Sequence, residues 1–221
     1  MRSSYHEELD GLLNSLLHMS ELVETAIEES TAALFDADLN RAEAVISNDA
    51  ELDQLHEKLE YDCLSLLALQ APVAGELRTV VSAIRMVFEL ARMGDLAAHI
   101  AKIARLRYPN KAVPASLEAN FRTMSETAVK MIDTAREALA NRDAKGAYGL
   151  AEIDTKMDDL RREHFNVLLD DSWSGGTAAA IDVALIGRYY ERFGDHTVAV
   201  GRRIIYLITG EVPDGEDWPN A

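Results

Sequence analysis

A glycine-containing motif that occurs twice, one hundred residues apart, constrains the fold more than any other feature of the sequence. Residues 91–95 read A-R-M-G-D and residues 191–195 read E-R-F-G-D. Both copies lie in long segments of helical periodicity, where a glycine costs about 1 kcal/mol relative to alanine. An unfavourable residue in the same context twice indicates an internal repeat. The two copies differ in charge at one position, where Ala91 corresponds to Glu191.

The repeat extends to an acidic motif that precedes each glycine motif. Asp49-x-x-x-Asp53 recurs as Asp154-x-x-x-Asp158 after 105 residues, whereas the glycine motif recurs after 100. The difference of five residues falls between the two motifs, where a loop that joins two helices can absorb a deletion. The chain is therefore expected to be a duplicated helical unit.

Apolar residues recur at helical spacing in six segments that are separated by turn-forming residues. The expected helices cover about residues 5–35, 38–70, 73–108, 116–140, 144–170 and 177–209. An aromatic content of 6% and only 5 prolines agree with an all-α protein. The sequence predicts two tandem three-helix bundles, at residues 1–110 and 111–210, followed by an acidic flexible tail at 211–221.

The composition excludes several classes of function. The 221 residues carry a formal net charge of -16, which repels nucleic acid phosphates, so we expect no nucleic acid partner. Cys63 is the single cysteine and lies in an apolar helical segment, which indicates a small core residue. The longest uncharged run is too short to span a bilayer, and the N-terminus lacks the apolar region of a signal peptide. We therefore expect a cytoplasmic protein that meets a membrane only through partners.

The spacing of the acidic residues places them at equal height on facing helices. A short loop joins the second and third helices of each half, so these helices should pack antiparallel. Residues at equal height in an antiparallel pair have a constant sum of residue numbers. By this rule Asp154 lies level with Asp195, and Asp158 lies level with Glu191. Four carboxylates should meet between two helices, and protons, arginines or a cation must balance their charges.

The first half has the same arrangement with one acidic residue fewer. Asp49 lies level with Asp95, and Asp53 lies level with Ala91, which has no ligand atom. His99 follows Asp95 by one helical turn and could supply a nitrogen in place of the missing oxygen. Ala91 therefore predicts a weakened first site.

Carboxylate clusters between bundle helices can hold hard cations such as iron or manganese. Gly94 and Gly194 lie on the same helical stripes and leave room for a neighbouring helix or a ligand. The candidate metal ligands are Asp49, Asp53, Asp95 and His99 in the first half, and Asp154, Asp158, Glu191 and Asp195 in the second.

Three alternatives stay open at this stage. Paired aspartates on a helix are often only a solvated face, and a bundle without metal is a purely structural protein. A carboxylate-bridged di-metal enzyme is the catalytic alternative, but such enzymes add Glu-x-x-His ligand motifs, which the acidic segments lack. His56, His164 and His196 are interpreted as surface or structural residues. We expect a protein that is not an enzyme.

The sequence resembles the PhoU family of phosphate-signalling regulators over essentially residues 3–210. The resemblance is carried by Y-H-E-E-L at 5–9, L-Q-A-P-V-A-G-E-L-R at 69–78, the two Asp-x-x-x-Asp motifs, and the glycine motifs at 91–95 and 191–196. Proteins of this family are tandem three-helix bundles without catalytic activity. Their acidic motifs are associated with multinuclear metal clusters, and Ala91 stands where the family pattern has glutamate.

The resemblance implies a function that composition and spacing do not. Such proteins repress the phosphate-starvation response and restrain phosphate uptake. They connect a phosphate ABC transporter, through its ATPase, to a membrane sensor histidine kinase. The resemblance also implies a homodimer, and metal ions such as iron, manganese, zinc or magnesium at the carboxylate motifs.

Overall fold

The computed structural model describes residues 2–212, which form six α-helices and one short 3₁₀ turn. The helices are α1 (Arg2–Asp36), α2 (Leu39–Gln70), α3 (Ala74–Arg107), α4 (Glu118–Asn141), α5 (Ala144–Leu169) and α6 (Gly176–Thr209). The predicted all-α class, the six long helices and the two tandem three-helix bundles are confirmed. From residue 213 onward, the predicted acidic tail lies outside the described residues.

Most helix boundaries lie within a few residues of the predicted ones, and α4 shows how they differ. Residues Ala115–Leu117 form a 3₁₀ turn instead of the first turn of the helix. The Leu117 N–H bonds to the carbonyl of Pro114, three residues back, at 3.0 Å, which is the spacing of a 3₁₀ turn. The α-helix therefore begins only at Glu118.

An aspartate caps the second helix of each repeat. The Asp38 carboxylate accepts a hydrogen bond from the Arg41 N–H at 3.0 Å at the start of α2. Asp143, the repeat counterpart of Asp38, accepts one from the Lys145 N–H at 3.0 Å at the start of α5. Each cap satisfies a backbone donor that the helix leaves unpaired, so both helices begin at a defined residue.

Each bundle packs its three helices against one another, and two further contacts join the bundles. Within the repeats, α1 contacts α2 and α3, and α4 contacts α5 and α6; α3 packs on α6, and α1 packs on α4, across the two repeats. The buried apolar residues form one continuous core. Cys63 is fully buried in it, as predicted, and burial raises the pKa of its thiol to about 12.

The helices α3 and α6 run antiparallel along their shared length. Contacts between them are Glu89 to His196 at 2.7 Å, Met93 to Thr197 at 3.9 Å and Arg107 to Asp182 at 2.5 Å. The residue numbers in these pairs have nearly constant sums, as antiparallel packing requires. Gly94 and Gly194 therefore lie at nearly the same height, in the middle of the molecule.

Across the described range, none of the helices combines the length and the apolar composition needed to cross a bilayer.

Candidate carboxylate site

Contacts at four heights define the register of α5 on α6. The pairs in contact are Leu150 with Gly201, Asp154 with Gly194, Arg161 with Glu191, and His164 with Gly187. Residue numbers rise along α5 as they fall along α6, so the two helices pack antiparallel. Asp154 accordingly lies beside Gly194 and Asp195, as the spacing argument predicts.

Three glycines of α6 face α5 at intervals of seven residues. A Cβ at Gly187 would lie 2.6 Å from Nδ1 of His164, and a Cβ at Gly201 would lie 2.6 Å from Cδ1 of Leu150. At Gly194 a Cβ would fall inside the van der Waals radius of Oδ1 of Asp154. The missing side chains let α5 approach α6 closely. The sequence reasoning addressed only Gly194, although the spacing of seven on one stripe is the signal for all three.

Asp154 is the most perturbed acid of the second repeat. It is partly buried, and its Oδ1 has no hydrogen-bond partner within the described residues. The pKa of Asp154 is raised to about 7, first by burial and then by the charges of Asp195, Asp158 and Glu191, while Arg202 acts to lower it. A proton therefore partly neutralises this carboxyl at neutral pH.

Asp158 and Asp195 flank Asp154 at the surface. Both residues are exposed. Their charges both raise the pKa of Asp154. In the part of the chain that the structure describes, none of the three aspartates has an arginine, lysine or histidine nitrogen within ion-pair distance.

Glu191 is buried beside these aspartates, and arginines balance its charge. Nη1 of Arg161, on α5, donates to its Oε1 at 2.7 Å, and Nη1 of Arg188, on α6, donates to its Oε2. The side chain of Glu191 is 10% exposed, against 31% for Arg161 and 46% for Arg188. We call these three residues the arginine triad. Sequence reasoning included Glu191 among the acids and did not identify Arg161 as its partner.

In the first repeat, Asp49 occupies the place of Asp154. Asp49 is partly buried. Burial raises its pKa, as do the charges of Asp95 and Asp53, while Lys102 and His99 lower it. Asp95 also forms an ion pair with Arg92 at 3.0 Å.

Gly94 receives Leu52 more closely than it receives the acid. A Cβ at Gly94 would lie 2.7 Å from Cδ1 of Leu52 and 3.7 Å from Oδ1 of Asp49. The first-repeat carboxylate thus has more room than its counterpart at Gly194. The same residues line a small cavity of about 70 Å³ between the helices of the first bundle.

The histidines have varied surroundings. His99 is exposed, and its ring lies 5.2 Å from that of Tyr189 on α6, near enough for its charge to act on Asp49. His196 pairs with Glu89, which faces α6.

His164 is buried, and its Nε2 bonds to Oδ1 of Asn120. Burial, followed by the charge of Arg161, lowers the pKa of His164 to about 4, so this ring is neutral.

The donor chemistry of the two acidic sites suits hard cations, which prefer oxygen ligands. Oδ1 of Asp154 is buried and has no hydrogen-bond partner among the described residues. Among the described residues, however, no group of three or more His, Cys, Asp or Glu side chains converges with the geometry to hold a metal ion. The metal ligands named from the sequence therefore stay a prediction.

Comparison with known proteins identifies the repeat. The model of the PhoU domain matches the chain twice, at residues 16–104 and 121–204. The two matches fall in the first and the second bundle.

Relatives match over the full length. The chain is 47% identical over 213 residues to a "Phosphate-specific transport system accessory protein PhoU homolog 2" of Mycobacterium tuberculosis, covering 96% of this chain and 100% of the relative. It is 44% identical over 221 residues to a PhoU homolog 1 of Mycobacterium leprae, with 100% of both chains covered. The crystal structure of PhoU from Pseudomonas aeruginosa superposes with a TM-score of 0.83 at 27% identity, covering 94% of this chain and 100% of that one. The chain belongs to the PhoU family.

Proposed function

We propose that this protein is an accessory regulator of a phosphate-specific transport system. The observation that carries the proposal is its identity of 47% over 213 residues to a relative described as an accessory protein of such a system. The relative is covered along its whole length, so both bundles correspond.

The regulator acts as an adaptor in the cytoplasm and not as an enzyme. It represses phosphate uptake and the phosphate-starvation response when phosphate is plentiful, by connecting the ATPase of the ABC transporter to a sensor histidine kinase. Its helices of 24 to 35 residues support this role, because they offer long surfaces to more than one partner. Its working form is a homodimer.

The proposal includes one cation-binding site in each repeat, at the clustered carboxylates. Asp49, Asp53 and Asp95, with His99, would hold one in the first repeat; Asp154, Asp158 and Asp195, with Glu191, would hold one in the second. A bound cation supplies positive charge, which would neutralise the clustered carboxylates and link neighbouring helices. The raised pKa of Asp154 supports this proposal, because the group lacks a positive partner.

The test is deletion of the gene in its host, followed by measurement of phosphate uptake and of a starvation-response reporter in phosphate-rich medium. Both should rise, and the wild-type gene should restore them. Co-purification should recover the transporter ATPase and the kinase. Unchanged uptake and unchanged reporter expression in the deletion strain would refute the proposal.

A further inference from the structure

Four large apolar side chains are exposed at the loop end of the hairpin that α5 and α6 form in the second repeat. Leu169 is 81% exposed and Ile181 is 53% exposed, and Phe165 and Leu185 are exposed as well. We call these four residues the apolar patch. Single exposed apolar residues are common on protein surfaces, but a group of them in one place is typical of a surface that another molecule covers.

The arginine triad shows that the members of the patch lie on one face of the hairpin. Arg161 precedes Phe165 by one turn of α5, and its guanidinium carbon lies 5.3 Å from the centre of the Phe165 ring. Arg188 follows Leu185 by one turn of α6. Both arginines reach Glu191, so the rows of side chains that start from them run along the same face.

The antiparallel register of α5 on α6 makes the patch continuous. It brings Phe165 to about the height of Leu185, and Leu169 to about the height of Ile181. Each helix therefore contributes one apolar residue at each of two heights.

The internal repeat shows that the fold does not require these residues. The counterparts of the four members in the first repeat are Glu60, Leu64, Val81 and Arg85. Two of these counterparts are charged, and yet the first repeat forms the same helical hairpin. The need to fold therefore does not explain the patch.

Charges of opposite sign border the patch at its two ends. Toward the middle of the molecule lie the two arginines of the triad and also Arg162, which is 69% exposed and pairs with Asp159. At the loop end, Asp170 and Asp171 follow Leu169 directly. Both aspartates are exposed, and neither has an ion-pair partner within the described residues.

A surface with this pattern is complementary to a second copy of itself. When the second copy is rotated by half a turn about an axis through the patch, apolar side chains meet apolar side chains. The arginine end of each copy then meets the aspartate end of the other, which fixes the orientation of the contact. Such a contact uses the same residues on both sides and closes after two subunits.

The hairpin of the first repeat lacks the basic end. The counterparts of the three arginines are His56, Glu57 and Phe88. The rings of His56 and Phe88 meet edge to face, with centroids 5.0 Å apart. The first hairpin therefore lacks the charge pattern that makes the second one complementary to itself.

We propose that two copies of this chain form a dimer through the apolar patch, with the second repeats in contact. The statement rests on the homodimer of the proposed function and names its interface. Because α3 and α6 run antiparallel, the loop between α2 and α3 lies at the opposite end of the molecule. The dimer is therefore elongated, and it leaves both first repeats free for other partners.

The test is sedimentation velocity of the full chain over a series of protein concentrations. The wild type should sediment as a dimer. The double substitution Leu169→Glu with Ile181→Glu places four like charges in the contact and should raise the Kd of the dimer on the order of 100-fold. The matched control is Leu64→Glu, at the exposed counterpart of Leu169, and it should leave the Kd within about threefold of the wild type.

The positions of the test variants are exposed, so the variants should fold, and circular dichroism checks this. A folded double variant that dimerises as tightly as the wild type would overturn the interface and leave the homodimer standing on another face. A wild type that is monomeric at every concentration would overturn both. Phosphate uptake in the deletion strain tests the regulator separately from either result.

Charge reversal tests the orientation of the two copies. Arg162→Glu and Asp171→Arg should each weaken the dimer, because each places like charges opposite one another. A mixture of the two single variants should form heterodimers more tightly than either variant forms homodimers, since opposite charges then meet on both sides of the axis. If the mixture dimerised no better than the single variants, the end-for-end arrangement would be wrong.

Discussion

At the scale of single residues, the neighbouring acids Glu191 and Asp154 are stabilised in the folded protein by different means. Glu191 accepts hydrogen bonds from two arginines, while Asp154 has no ion-pair partner among the described residues and has a raised pKa. The difference follows from what each side chain can reach. The long side chain of Arg161 reaches Glu191 across the seam, whereas Asp154 lies against the backbone of Gly194.

The proton on Asp154 should make the stability of the protein depend on pH. Its pKa is about 7 in the folded state and 3.8 in the unfolded reference, so the folded state binds more protons between these values. The contribution of the protonated Asp154 to the free energy of unfolding is complete below about pH 4 and is lost as the pH rises through 7. Asp154→Asn should therefore unfold with a free energy on the order of 2 kcal/mol higher than wild type at pH 8, after discounting for solvent screening.

Urea unfolding of both proteins at pH 4, 6 and 8, with a chelator present, measures this difference. The gap should open with rising pH and close at pH 4. A constant gap across the range would show that Asp154 titrates normally. Asp158→Asn, at an exposed position, is the control and should change the stability little at any pH.

The alanine of the first repeat offers the reverse experiment. Ala91 is partly buried, and no arginine takes the place of Arg161 or Arg188 there. Ala91→Glu should lower the free energy of unfolding by about 1–3 kcal/mol at pH 7, because the new carboxylate lacks a partner. Adding His56→Arg and Phe88→Arg should recover part of this loss.

Chemical denaturation measures all of these variants, and Ala91→Gln controls for side-chain size. If Ala91→Glu proved neutral in stability, the carboxylate would need no arginine at this position.

At the scale of helices, the contact between α5 and α6 is set by absent side chains. Gly187, Gly194 and Gly201 repeat every two turns, so one edge of α6 presents bare backbone to α5. A different side chain of α5 fills the space at each glycine, in the order His164, Asp154 and Leu150. Asp154 therefore lies closer to the backbone of α6 than any residue other than glycine at position 194 would allow.

The cost of refilling these spaces should depend on what each glycine faces. Gly187→Ala would push a Cβ onto His164, whose ring also lies 4.1 Å from that of Phe121 and bonds to Asn120. This ring has little freedom to move, so the substitution should lower the free energy of unfolding by about 2 kcal/mol. Gly94→Ala meets the flexible end of Leu52, and the gain in helix propensity should make it nearly neutral.

Thermal or urea unfolding of the two variants measures the contrast. Equal effects on stability would mean that the His164 ring can move aside as easily as a leucine methyl group.

The sequence predicts the helices and their register, but it does not predict the side-chain contacts between them. The helices follow from the periodicity of the apolar residues. The register of α5 on α6 follows from the residue numbers, because one pair of residues at equal height fixes the height of every other pair. The arginine triad does not follow, since Arg161 and Glu191 are 30 residues apart and their meeting depends on side-chain length and rotamer. His164 is a structural residue, one of the two roles expected for it, but its burial does not follow from the sequence, because its partner Asn120 belongs to a third helix, α4.

At the scale of the whole molecule, hydroxyl groups in the core connect the two repeats. The Tyr190 hydroxyl, on α6, lies 2.6 Å from Oγ1 of Thr31 on α1, and the Ser125 hydroxyl, on α4, donates to the same oxygen at 3.1 Å. Tyr190 is fully buried, and burial raises its pKa to about 12. Three helices from both repeats thus share one polar contact inside an apolar core.

Removing this hydroxyl should weaken the connection between the repeats. Tyr190→Phe should lower the free energy of unfolding by about 1 kcal/mol, because a buried hydrogen bond is lost while the packing is kept. Tyr189→Phe, at the adjacent and less buried position, is the matched control and should change the stability by less. Urea unfolding checks both, and equal losses would show that the buried hydroxyl has no special role.

The antiparallel crossing of α3 and α6 near Gly94 and Gly194 also gives the molecule an approximate dyad. Rotation by half a turn about this axis exchanges the two repeats and carries Asp95 onto Asp195. A partner with twofold symmetry would meet the same aspartates from either direction, and the aspartates alone would not tell it which way round the protein sits. The arginine triad lies beside the acidic site of the second repeat only, and the rings of His56 and Phe88 take its place in the first. A partner that contacts the triad would therefore bind in one of the two orientations.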